Sequence, residues 1–138
     1  MSGQRKEFIV LAIGDRDAEG FGEEAWLRLR QLIDSSAPDA RVFSQIGAVG
    51  YYLRSARAVA AVEDVISRAE TLRDSDEALS TLGIGLAHGP LLADFDSHGR
   101  VDPAFLPVGV VANDASRAVH EAQTYRETLA ELHETQKT

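Results

Sequence analysis

The chain has no cysteine, which excludes a disulfide framework and any thiolate metal site and favours an intracellular setting. It has no apolar run approaching the ~20 residues that span a bilayer, and its opening stretch MSGQRKE lacks the apolar segment of a signal peptide. A cytoplasmic location with no membrane partner is therefore expected. Positive charge is also scarce: 14 Lys and Arg face 22 Asp and Glu, for a net charge of -8. Such a balance argues against a nucleic-acid backbone as partner, although a nucleotide remains admissible because a local site can be basic on an acidic protein. What is present is ordinary globular composition, 44% hydrophobic and 26% charged over 138 residues. That length supports one domain with a core and not two, so residues 1–138 are read as a single unit with a core over about 7–122 and a helical tail over 123–138.

Hydrophobic patterning gives the order of elements. EFIVLAIG is a short, β-branched apolar run ending at Gly and Asp, as in a buried central strand. GEEAWLRLRQLIDSS places Trp26, Leu29, Leu32 and Ile33 at helical spacing behind acidic Glu23 and Glu24, and Trp26 is expected in the core. RVFSQIGAVGYYLRS reads as two strands joined by a tight turn near Gly47 and Gly50. Ser55 is placed to cap a second helix, whose stripe includes Val59, Val62, Ile66 and Ala69. LSTLGIGLAHG is a further strand, PLLADFDSHGRVDPAFLPVGVV a hairpin-like arm, and a last helix begins near Asn113 and runs almost to the end. The order β-α-β-β-α-β, arm, helix implies an α/β (α+β) fold with a ferredoxin-like core: an antiparallel sheet with helices on one face.

Asn113 and Arg117 stand four residues apart on that last helix, stacked on one face. Helix geometry alone leaves two readings open, a ligand-facing pair or two solvated polar side chains. His88 has no second ligand at metal-binding spacing and reads as a turn histidine. Ala115, Val119, Ala122, Tyr125, Leu129 and Leu132 recur at three- and four-residue steps. That stripe serves either to pack on the chain's own sheet or to pair with a second chain.

Taken together, LSTLGIGLAHGPLLADF and FLPVGVVANDASRA resemble the second half of class III adenylate and guanylate cyclase catalytic domains. In that family a Gly-Ile-Gly strand, a Gly-Pro turn and a dimerisation arm lead to a helix carrying Asn-x-Ala-x-Arg. IVLAIGDRDAEGFG and FSQIGAVGYYLRSARAVAAV resemble the first strand with its acidic residue and the later hairpin with its helix. The resemblance implies a nucleotide-binding dimer in which two carboxylates hold two Mg²⁺ ions, and the metals activate the ribose 3′-hydroxyl for in-line attack at the α-phosphorus. It also implies an Asn that orients the ribose, an Arg that neutralises developing phosphoryl charge, and a lysine with an acidic partner that reads the purine.

The carry-over onto this sequence is uneven. Asn113 and Arg117 match the transition-state pair. The first metal carboxylate is Asp15, at the strand end, or Asp17, which keeps the family's distance to Gly20 and Phe21. The second metal carboxylate falls at Ala48, the purine-reading lysine at Ser44, its acidic partner near Ala104 with Asp102 close by, and the acid expected after Gly109 at Val110. The strands that follow the Asn/Arg helix in the family have no counterpart. These replacements imply a catalytically degenerate cyclase homology domain: a homodimeric regulatory or dimerisation module, with at most weak ATP or GTP binding and no cofactor expected. The alternatives are an active cyclase working with Mg²⁺ or Mn²⁺, its missing donors supplied by Asp15, Asp17, Asp102 or another chain, and an unrelated ferredoxin-like binding module.

Overall fold

Strand β1 (Gln4–Asp15) carries an apolar run that is buried without interruption from Phe8 to Ile13. Successive strand side chains point to opposite faces, so such a run leaves no face for water and requires a cover on each side. Phe8, Val10 and Ala12 accordingly belong to one apolar cluster, and Ile9, Leu11 and Ile13 to another. The computed structural model describes residues 3–17, 21–44, 47–102, 104–121 and 123–136.

Two antiparallel neighbours flank β1, β3 (Gly47–Leu53) and β4 (Leu82–Ala93), and β2 (Ala40–Ser44) lies outside β3, giving the order β2-β3-β1-β4. With α1 (Glu23–Ser35) and α2 (Ala56–Ser75) the succession is β-α-β-β-α-β, as the patterning implied, and the fold is α+β. Gly47 opens β3, whereas Gly50 lies within that strand and forms no turn; the link at 45–46 falls outside the described residues. Ser55 caps α2, its hydroxyl accepting the Ala58 N–H at 3.0 Å.

The larger cluster forms where α1 and α2 lay Leu29, Ile33, Val62 and Ile66 against Ile9, Leu11, Ile13, Ile84 and Leu86. Trp26 is not part of it. Ala25 takes the buried position on that turn of α1, and Trp26 is left half-buried at the rim, its indole N–H donating to the Ser44 carbonyl. His88 sits in β4 opposite Ile9, not in a turn, with Nε2 3.2 Å from a Glu131 carboxylate oxygen. The turn reading failed there because Gly89 continues the strand instead of ending it.

The expectation of helices on one face only is corrected by the second cluster. There α3 (Val110–Ala118) presses Val111 and Ala115 onto Phe8, Val10 and Ala12, joined by Val119 just beyond it and by Leu91 and Val101 of the arm. A single terminal helix is not formed either. The chain stops after α3, turns through residues including Gln123 at φ 56, and resumes as α4 (Thr124–Gln136). The reason is topological: Ala115 and Val119 are buried on one side of the sheet, Tyr125 and Leu132 on the other. β4 is an edge strand, so the chain must bend round it to reach both faces. The apolar stripe thus packs on the chain's own sheet, divided between two faces; Ala122 lies outside the described residues. Tyr125 Oη and the Arg126 guanidinium both donate to one Glu70 oxygen, at 2.7 and 3.0 Å, and tie α4 to α2. Burial acts to raise the Glu70 carboxyl, but those two hydrogen bonds and the nearby arginine charges outweigh it and hold the group below its ordinary range.

The arm folds back as a hairpin. Its first residues, 90–93, complete β4, and bridges join Leu92 to Val108 and Phe95 to Val101. Asp96 closes the tip by accepting the His98 and Arg100 N–H groups at 2.8 and 3.0 Å.

Two glycines allow α3 its seat. A Cβ on Gly85 would fall 1.9 Å from the Ala115 carbonyl oxygen, and one on Gly83 would fall 2.1 Å from that of Val119. Burial of Val111 and Val119 stabilises the seat by roughly 1.5–3 kcal/mol each, an upper estimate. Overpacking of the kind Gly85→Ala introduces costs about 1–3 kcal/mol. The substitution is therefore expected to loosen α3 without unfolding the sheet. Chemical denaturation should read that loss of stability, and hydrogen exchange should rise in 110–118 before β1; a variant as stable as the parent would contradict the close approach.

Candidate functional site

The strand ladder gathers one end of the sheet. Gly14 pairs with Gly47, Ser44 with Gly47, and Ala48 with Ile13, so the last residues of β1 and the β2–β3 hairpin meet where β1 ends. There Asp15, Ser44, Gly47 and Ala48 line a cavity of about 80 Å³, closed on the other side by Ser116, Val119 and His120 of the α3 segment. Three positions singled out from the sequence thus converge: the first metal candidate and the two replaced positions.

Of the two aspartates, Asp15 lines the cavity and Asp17 does not. Asp15 is 4% exposed, and its Oδ1 accepts the Asp17 N–H at 3.0 Å. This is an Asx turn, in which a carboxylate orders the backbone that follows it. Asp17 itself is exposed. Arg16, between them, donates its backbone N–H to the Thr81 carbonyl at 3.0 Å, which anchors the turn to the start of β4.

Ala48 is 2% exposed and packs in the larger apolar cluster. A methyl group has no donor for a hard cation, and the Ser44 hydroxyl is neutral. Among the described residues, no three His, Asp or Glu side chains gather as metal ligands. The residues present therefore do not fit the two-metal centre that the resemblance implies.

Asn113 and Arg117 are both exposed, and neither lines the Asp15 cavity. The cause is helical phase: Val111, Ala115 and Val119 face the sheet, so positions two residues further on point away from it. The Arg117 side chain is 70% exposed and forms an ion pair with Asp114 one turn back. The two halves of the expected site thus lie apart in one chain. Of the arm residues, Asp102 accepts the Ala104 N–H at 2.9 Å as a turn former, and Val110 is the exposed first residue of α3.

Sequence reasoning missed Ser116 and His120. His120 Nδ1 lies 2.7 Å from the Arg16 carbonyl oxygen, which can only accept, so the imidazole donates and pins the end of α3 beside the Asp15 turn. The signal was available: Ser116 and His120 are four residues apart and each follows a residue of the buried stripe.

No protein-family model matches the sequence, and no curated protein does. Solved structures do match. A bacterial light-regulated adenylyl cyclase superimposes with a TM-score of 0.52 at 17% identity over 85% of this chain. The present chain spans 40% of that structure's length. The guanylyl cyclase Cya2 also gives 0.52, at 19% identity over 85% of this chain and 71% of its own. A monomeric guanylyl cyclase domain of the RhoGC fusion protein from the aquatic fungus Blastocladiella emersonii gives 0.50, at 17% identity over 85% of this chain and 77% of its own. At such identities the likeness is one of fold. The chain has the fold of an adenylyl or guanylyl cyclase domain.

Proposed function

We propose that this chain is a nucleotidyl-cyclase-like signalling domain without efficient turnover, acting as a regulatory and dimerisation module. One observation carries the reading: the cavity that holds Asp15 also holds Ala48 and Ser44, where the resemblance calls for a second metal carboxylate and a purine-reading lysine. Asp15 is the one carboxylate among the described residues lining the cavity, which leaves the charge of a metal-bound triphosphate poorly balanced, and a serine has neither the reach nor the charge of the lysine. The size of the cavity agrees. About 80 Å³ accommodates a few waters, whereas small-molecule sites run to roughly 300–1,000 Å³.

In this reading Asn113 and Arg117 are retained as part of a scaffold that faces another chain. Their outward direction supports it, as does exposed apolar surface on the arm and at the start of α3: Leu92, Phe105, Leu106, Val108 and Val110 are all exposed. Exposed apolar side chains gathered on one arm mark an interface, and a second copy of this chain is the proposed cover. Sedimentation at micromolar concentration should give a dimer, and Leu106→Asp should shift it to monomer while leaving the fold intact. A parent that sediments only as monomer would count against this part of the proposal.

The chemical part is tested by incubating purified protein with ATP or GTP and either Mg²⁺ or Mn²⁺. Cyclic product should not rise above a buffer control. Robust cyclic nucleotide formation that Arg117→Ala abolishes would instead establish the active-cyclase alternative, with the missing donors supplied from elsewhere.

A further inference from the structure

Three of the nine aromatic residues meet beside the Asp15 cavity, on the other side of Ser44, which borders both. Phe21, just before α1, Trp26 on its first turns and Phe43 on β2 wall an open cleft of about 550 Å³, with Glu23 and Ser44 at its sides. All three rings are half-buried, whereas Phe8, Tyr52 and Tyr125 are 0–2% exposed. Phe21 and Phe43 rest on the larger apolar cluster, which fixes them from beneath. Trp26 and Phe43 stand edge to face, 6.4 Å apart with planes at 73°, and the indole N–H held by the Ser44 carbonyl sets the angle. The result is a corner of two ring walls.

The chain already places a cation on these rings. The Arg30 guanidinium lies 4.5 Å from the Phe43 centroid and 5.3 Å from that of Trp26, yet Arg30 is not a wall of the cleft. The ring quadrupoles therefore act on positive charge in the structure itself, and Phe21 and the Glu23 carboxylate border the cleft beside them. Aromatic faces with a nearby carboxylate suit a weakly hydrated organic cation: the rings attract it, little hydration is lost, and the carboxylate supplies countercharge. A hard inorganic cation is not suited, because one carboxylate with aromatic walls does not replace a shell of oxygen ligands.

We propose that the Phe21–Trp26–Phe43 cleft is a binding site for a small organic cation with an alkylated ammonium head. Trp26 is the only tryptophan, so its fluorescence reports the site directly. Choline titrated into the full chain should change that emission saturably, while sodium chloride at matched ionic strength should not. Phe43→Leu should weaken the apparent affinity about three- to fivefold, the fold-change of an exposed cation–π contact. Glu23→Gln, in the exposed first turn of α1, should weaken it as well and decides the matter should Phe43→Leu fail to fold. The uncharged carbon isostere of choline, dimethylbutanol, should bind more weakly than choline. A response no different from sodium chloride, equal curves for parent and Glu23→Gln, or equal binding of the uncharged isostere would overturn the proposal.

Discussion

A strand buried on both faces cannot be stable under a single layer, and most of this molecule follows from that constraint. β1 has apolar side chains on each side along its inner half, so the sheet needs a second cover besides α1 and α2. α3 provides it, and the glycines of β4 let its backbone approach closely enough to seal the face. Once α3 is seated with Val111, Ala115 and Val119 inward, the direction of every other residue on it is fixed by helix geometry. Asn113 and Arg117 then point outward, and Ser116 and His120 reach the cavity. The chemistry available at the end of β1 is thus a consequence of how the core is covered.

The same constraint explains which parts of the structure the sequence disclosed. The four strands, α1, α2 and the arm were legible because the local signals are strong, as in the run EFIVLAIG and the stripe from Val59 to Ala69. The second face was also written in the run of β1, since six successive buried positions demand two covers. The terminal helix was harder. Its stripe from Ala115 to Leu132 has even spacing, and nothing local states that the first part belongs to one face of the sheet and the second to the other. Only the position of β4 at the sheet edge, a tertiary fact, makes a break necessary. Trp26 illustrates a different limit: helical phase allows either Ala25 or Trp26 to face the core, and packing chose the smaller residue.

At the candidate site, the resemblance to cyclase domains marked Asp15, Ser44 and Ala48 as positions of interest, and the strand register brings them to one cavity. What the resemblance did not resolve was the choice between Asp15 and Asp17. Burial separates them, since one carboxylate folds back to order the turn inside the cavity and the other faces water. Nor did the sequence signal that Asn113 and Arg117 would stand apart from that cavity within one chain.

In the proposed function, the donors around Asp15 are too few to hold a metal–nucleotide complex. Calorimetric titration of the protein with Mg²⁺ and a non-cyclisable ATP or GTP analogue tests it most directly. The account predicts no metal-dependent binding at micromolar concentrations, in the parent and in Asp15→Asn alike. Tight, Mg²⁺-dependent binding that Asp15→Asn removes would contradict it.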